Sequence, residues 1–149
     1  MKPKQLIFIL IVIGIGWWSY GVIRTHTSGD VIAYKSFAKA LMRGDGSAAR
    51  REVARGVDQP MAAFNYREER EEQHFQGFEK VFTYYRIISH QRTGEGRSVI
   101  RAEQVTRVNA PGESKFYGAR RVSIRHTVEL IQEQSAWRVL RFTDEVMRE

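Results

Sequence analysis

FYGARRVSIRHTVELI, residues 116–131, decides how this chain is read. Val122, Ile124, His126, Val128 and Leu130 alternate with Arg121, Ser123, Arg125, Thr127 and Glu129. Successive side chains of an extended strand leave on opposite faces, so a period of two predicts a strand with one face covered and the other wet. The covered face carries a histidine inside an otherwise apolar stripe.

Working outward, AWRVLRF at 136–142 reads as a last strand carrying Trp137, Val139, Leu140 and Phe142. Upstream, Ala110-Pro111-Gly112-Glu113 places proline and glycine where a type II turn needs them, which makes 98–108 and 116–131 antiparallel neighbours. Residues 94–96 offer another turn, into an aromatic and β-branched strand over 81–90.

The first half of the chain has a helical period instead. Ser28 or Asp30 can cap a helix carrying Val31, Tyr34, Phe37, Ala38, Leu41 and Met42, stopped by Gly44. Asp45 can cap a second helix that ends at Gly56, Pro60 marks a loop, and 61–78 reads as a helix with a solvated centre over 67–72. Helices first and meandering strands later give an α+β class, with helices packed on one face of an antiparallel sheet.

Residues 6–23, LIFILIVIGIGWWSYGVI, contain no charge. A helix of that length approaches the thickness of a bilayer core, and Trp17, Trp18 and Tyr20 are suited to a membrane interface. Lys2 and Lys4 precede the segment, whereas Arg24 and then Asp30 follow it. That asymmetry points to a cytoplasmic N-terminus and an outward-facing domain. A cleaved signal peptide would need Ser19 and Gly21 as its small-residue pair, with bulky Tyr20 between them. The expected organisation is therefore an anchor with a short cytoplasmic start over 1–24, a linker over 25–29 and one domain over 30–149. A bacterial inner-membrane protein with a periplasmic domain fits it, its partners being the lipid bilayer through 6–23 and a membrane protein or a second copy.

Length and composition narrow the field. The chain has 149 residues, which leaves room for one domain of ordinary size. It has no cysteine, so disulfides, thiolate metal sites and cysteine nucleophiles are excluded. The formal charge of +7 would suit nucleic acid, but no basic run interleaved with aromatics appears in the sequence, and a nucleic-acid partner is not expected.

The helix pair FAKALMRGDGSAARREVA at 37–54, followed by long strands ending in AWRVLRF, resembles the nuclear-transport-factor-2-like superfamily. The resemblance implies a cone, in which a strongly curved sheet wraps against the helices around a pocket. The superfamily hosts ketosteroid isomerases, polyketide cyclases and dehydratases, and also non-enzymatic anchored domains, so fold alone does not select a function.

Phosphate loops, HExxH and G-x-S-x-G elbows are absent from the sequence. His26, His74, His90 and His126 are too dispersed to form a local ligand pair, so neither a metal nor a cofactor is expected and no catalytic residue is assigned. His126 is the sharpest feature, with Tyr84, Tyr85, Asp58 and Trp137 as possible companions in a pocket. A core histidine satisfied by a tyrosine is the plainer reading. Phe37, Phe64, Phe78, Phe82 and Tyr84, with Trp137, read as core or as pocket lining. These features lead to a membrane-tethered, non-catalytic interaction or scaffolding domain, the alternatives being a pocket enzyme of the dehydratase or isomerase kind and a carrier of a small apolar ligand.

Overall fold

The computed structural model describes residues 3–75, 77–94 and 96–147, with the side chains of 3–6, 8, 21–26 and 67–74 left aside. Helices α1 (Pro3–His26), α2 (Gly29–Arg43), α3 (Gly46–Glu52) and α4 (Gln59–His74) precede strands β1 (Glu79–Arg92), β2 (Arg97–Asn109), β3 (Arg120–Glu133) and β4 (Ala136–Met147). The strands form an antiparallel meander in the order β1-β2-β3-β4. Register shifts interrupt the ladder between Lys80 and Phe82, between Ile87 and Ser89, and between Glu129 and Leu130. Each such shift bends its strand and adds twist, which curves the sheet around the helices.

Local chemistry explains the element ends. Gly44 closes α2 in a left-handed conformation, and the Asp45 carboxylate caps α3 by accepting from the Ala48 N–H at 2.9 Å. Helix α3 stops at Glu52, short of the expected Gly56, because Val53 bridges Val139 and the Ala54 N–H donates to the Val139 carbonyl. Pro60 belongs to the first turn of α4 rather than to a loop. A proline there gives up only an N–H that the helix could not have used. The 110–113 turn forms as read, with the Glu113 N–H on the Ala110 carbonyl and Gly112 at φ 80°. Strand β3 begins at Arg120 rather than 116, and Phe116 and Tyr117 lie in an exposed loop.

The core lies between α2, α3 and α4 and the concave face of the sheet. Val31, Phe37, Ala38, Leu41 and Phe64 meet Ile100, Val128, Leu130, Val139 and Phe142, with Phe37 and Phe142 edge to face at 5.3 Å. Gln59 clamps α4 to β4 by accepting from the Phe142 N–H and donating to its carbonyl.

The membrane reading of the sequence is corrected. Among the described residues no helix is long and apolar enough to cross a membrane. The unbroken run of described side chains in α1 covers residues 9–20, about 18 Å at 1.5 Å per residue, against a hydrocarbon core of about 30 Å. Its far end is Gly16-Trp17-Trp18-Ser19-Tyr20, bulky and amphipathic rather than aliphatic. Single-pass anchoring, an inner-membrane location and a periplasmic domain therefore lose the span on which they rested. Leu6, Phe8 and residues 21–23 lie outside the described side chains.

Candidate functional site

His126 sits at the middle of β3 with no solvent exposure, on the face turned toward the helices. The Tyr34 hydroxyl on α2 lies 3.4 Å from its Nδ1. Rings close around it, with Phe142 edge-on at 5.2 Å and Tyr85 tilted at 5.5 Å between centroids. Residues directly opposed in an antiparallel ladder project from the same face, so Ala102 on β2 and Asp144 on β4 flank the imidazole. Asp144 is half-buried.

A row of hydrogen bonds runs from this point along the concave wall. The Tyr85 hydroxyl lies 3.1 Å from the Ala38 carbonyl and 3.2 Å from Gln104 Oε1, with one proton to share between them. Gln104 Nε2 donates to Thr106 Oγ1 at 3.2 Å, and Thr83 Oγ1 stands 3.1 Å from the same hydroxyl. Gln104 and Thr106 are nearly devoid of exposure. The concave face thus has two halves. One, built on Ile100, Val128, Leu130 and Val139, is apolar and filled by the helices, whereas the other presents imidazole, phenol, amide and hydroxyl groups. Burial of polar groups costs free energy unless they are hydrogen-bonded, and here they bond to one another and to the Ala38 carbonyl.

The companions proposed from the sequence divide. Tyr85 meets His126, but its neighbour Tyr84 leaves the sheet on the opposite face, as period two requires, and is 44% exposed. Asp58 lies just before α4, paired with Arg50 at 3.0 Å and almost fully exposed. Trp137 opens β4 far from the imidazole, under the Arg92 guanidinium at 5.6 Å. Phe37 and Phe64 are core, and Phe82 is exposed beside Tyr84. His26 and His74 lie outside the described side chains. Tyr34, Gln104, Thr106 and Asp144 were missed, since strand register and helix placement alone bring them to His126.

A second polar cluster holds α2 to the sheet. Asp30, fully buried in the first turn of α2, accepts from His90 Nε2 at 2.6 Å and from Arg92 at 3.2 and 3.3 Å. Burial works against its ionisation, but the bonds from Arg92, Ser28 and His90 outweigh it and hold the carboxyl well below the usual range. Among the described residues no group of three or more acids and histidines is arranged to hold a metal.

No family model matches this chain, and no curated protein matches it. Solved structures do. A ketosteroid isomerase-like protein from Erwinia carotovora aligns with TM-score 0.55 at 12% identity, covering 83% of this chain and 98% of its own. An NTF2-like protein of unknown function from Shewanella baltica gives 0.51 at 9%, covering 86% and 97%. Another from Shewanella oneidensis gives 0.50 at 10%, covering 76% and 93%. Identities this low speak for architecture only, and the chain has the nuclear-transport-factor-2-like α+β fold.

Proposed function

We propose that the domain is a pocket enzyme of the isomerase or dehydratase kind, moving a proton on a small, largely apolar substrate. The observation that carries this reading is the concentration of buried polar groups on one half of the concave face, centred on His126 with Asp144 opposite and Tyr34 at its Nδ1. In an isomerase, His126 removes a proton from the carbon beside a carbonyl and returns it two carbons away, so no other reactant is needed. A tyrosine hydroxyl stabilises the enolate oxygen, and Asp144, directly across the ladder from His126, supplies a carboxylate beside the imidazole. The polar row Tyr85–Gln104–Thr106 fits a substrate with one or two polar atoms better than a purely apolar cargo. The scaffold reading drew its main support from a membrane tether, and no described helix supplies one.

The test is deuterium incorporation from D2O beside the carbonyl of a panel of small ketones and β,γ-unsaturated ketones, with the full chain as catalyst. Positioned acid–base catalysis contributes about 100-fold to 10,000-fold. The parent should therefore exchange at least one panel member, and His126→Gln and Asp144→Asn variants that keep the parent's melting behaviour should lose that activity. Absence of exchange across the panel, or full exchange by His126→Gln, would overturn the proposal.

A further inference from the structure

The sheet's other face, turned away from the helices, carries a different chemistry. Ladder register places Arg86 opposite Glu103, Phe82 opposite Arg107, and Arg107 opposite Arg121. Arg101 and Arg125 project from the same face. Among the described residues the strand acids on it include Glu103, already held by Arg86 at 2.6 Å and Arg121 at 2.7 Å, Glu79 opposite Asn109, and Glu129 and Glu145 toward the β4 edge, with Glu145 opposite Arg125. Among the described residues Arg101, Arg107 and Arg125 belong to no ion pair. Two aromatic rings stand among these cations: Phe82 and Tyr84, each 44% exposed, lie nearly parallel at 22° with centroids 6.1 Å apart.

We propose that this face binds single-stranded nucleic acid, its bases stacking on Phe82 and Tyr84 and its phosphates held by Arg101, Arg107 and Arg125. Charge complementarity selects an anion, because a second copy of the same face would set arginines against arginines. Exposed parallel rings select an anion with flat apolar parts. Unpaired bases offer π-faces to such rings while guanidinium groups follow the backbone, a combination that tolerates any sequence. A duplex hides those faces, and the anionic groups of an acidic peptide carry none of their own. Four strands about 4.8 Å apart make a platform about 14 Å wide between outer strand axes, suited to a few nucleotides. This face is independent of the concave one and adds to the proposed proton-transfer chemistry. It also revises the expectation drawn from the sequence, where these arginines are dispersed over three strands and form no run.

The experiment is fluorescence anisotropy with the full chain and labelled oligothymidylate and oligouridylate about a dozen nucleotides long, beside an abasic strand of equal charge. Both base-bearing strands should bind, and the abasic strand should bind about tenfold more weakly. Phe82→Leu and Tyr84→Leu keep the apolar bulk and should each lower affinity about tenfold for the base-bearing strands alone. Arg101→Gln with Arg125→Gln should flatten the plot of log affinity against log salt by about 1.4, two phosphate contacts at about 0.7 each. No binding, equal affinity for the abasic strand, or leucine variants that alter only the sedimentation of the protein would each overturn the proposal.

Discussion

Asp30 and His90, separated by 60 positions, meet at 2.6 Å between Oδ2 and Nε2, with the carboxylate wholly buried and the imidazole nearly so. The contact joins the first turn of α2 to the end of β1, and Arg92 closes it from the solvent side while lying over the Trp137 ring. One carboxylate thus ties the start of α2 to the end of β1. Removing it leaves two cationic or polar partners facing a void. Asp30→Ala is expected to cost about 2–4 kcal/mol, measured as the shift of a urea or thermal unfolding transition.

The same carboxylate gives the protein an acid limb. Its pKa is depressed in the folded state, so its contribution to stability is complete above the ordinary carboxylate value and is lost as pH falls below about 4 toward the folded value. Glu103 shifts in the same direction: burial opposes its ionisation, and the bonds from Ser123, Arg86 and Arg121 prevail. Urea midpoints should therefore fall between pH 5 and pH 2.5, within about the pH range in which carboxylates bind protons. Asp30→Asn should show a shallower fall over that interval than the parent. Parallel pH curves would mean that Asp30 does not drive the acid transition.

How much of this was legible follows from the reach of each signal. The alternation of 122–130 placed His126 on the covered face correctly, because period two is a property of neighbouring residues. The start of the same strand was read four residues early, since Phe116 and Tyr117 have the composition of a strand although their place is an exposed loop. Gly118, at φ 74°, turns the chain there. The pairing of His126 with Asp144, the buried Asp30 cluster and the arginine face all depend on register between strands or on where α2 lies. No local pattern encodes those, and the sequence reading accordingly offered Tyr84 and Asp58 in place of Tyr34 and Asp144.

Gly118 itself can be tested. Its backbone lies in the left-handed region, and an added Cβ would fall 2.8 Å from Arg107 Cβ and 3.0 Å from the Val108 backbone nitrogen. Backbone atoms of a paired strand cannot step aside as a flexible side chain would. Gly118→Ala should cost about 2–3 kcal/mol by combining dihedral strain with overpacking. At Gly112, also at positive φ but with open space around its Cβ position, the same change should cost about 1 kcal/mol from strain alone. Thermal melts of the two variants, compared with the parent, check the difference.

The contact of Tyr34 with His126 can be weighed apart from any catalytic role by a double-mutant cycle on stability. At 3.4 Å the contact is at the long end of hydrogen bonding, but both groups are sealed from water, so little solvent competes for either. Tyr34→Phe keeps the ring and its edge contact with Tyr85 at 6.5 Å, and it should cost about 0.5–1.5 kcal/mol. His126→Ala opens a void among Phe142, Tyr85 and Tyr34 and should cost about 2–4 kcal/mol, whereas His126→Leu refills much of that volume and should recover part of the loss. If the two side chains act through their contact, combining Tyr34→Phe with His126→Leu costs less than the sum of the single changes by at least about 0.5 kcal/mol. Additivity within error would show that the hydroxyl and the imidazole are neighbours without mutual stabilisation. A shift of equal size in His126→Leu and His126→Ala would show that packing around the ring contributes little.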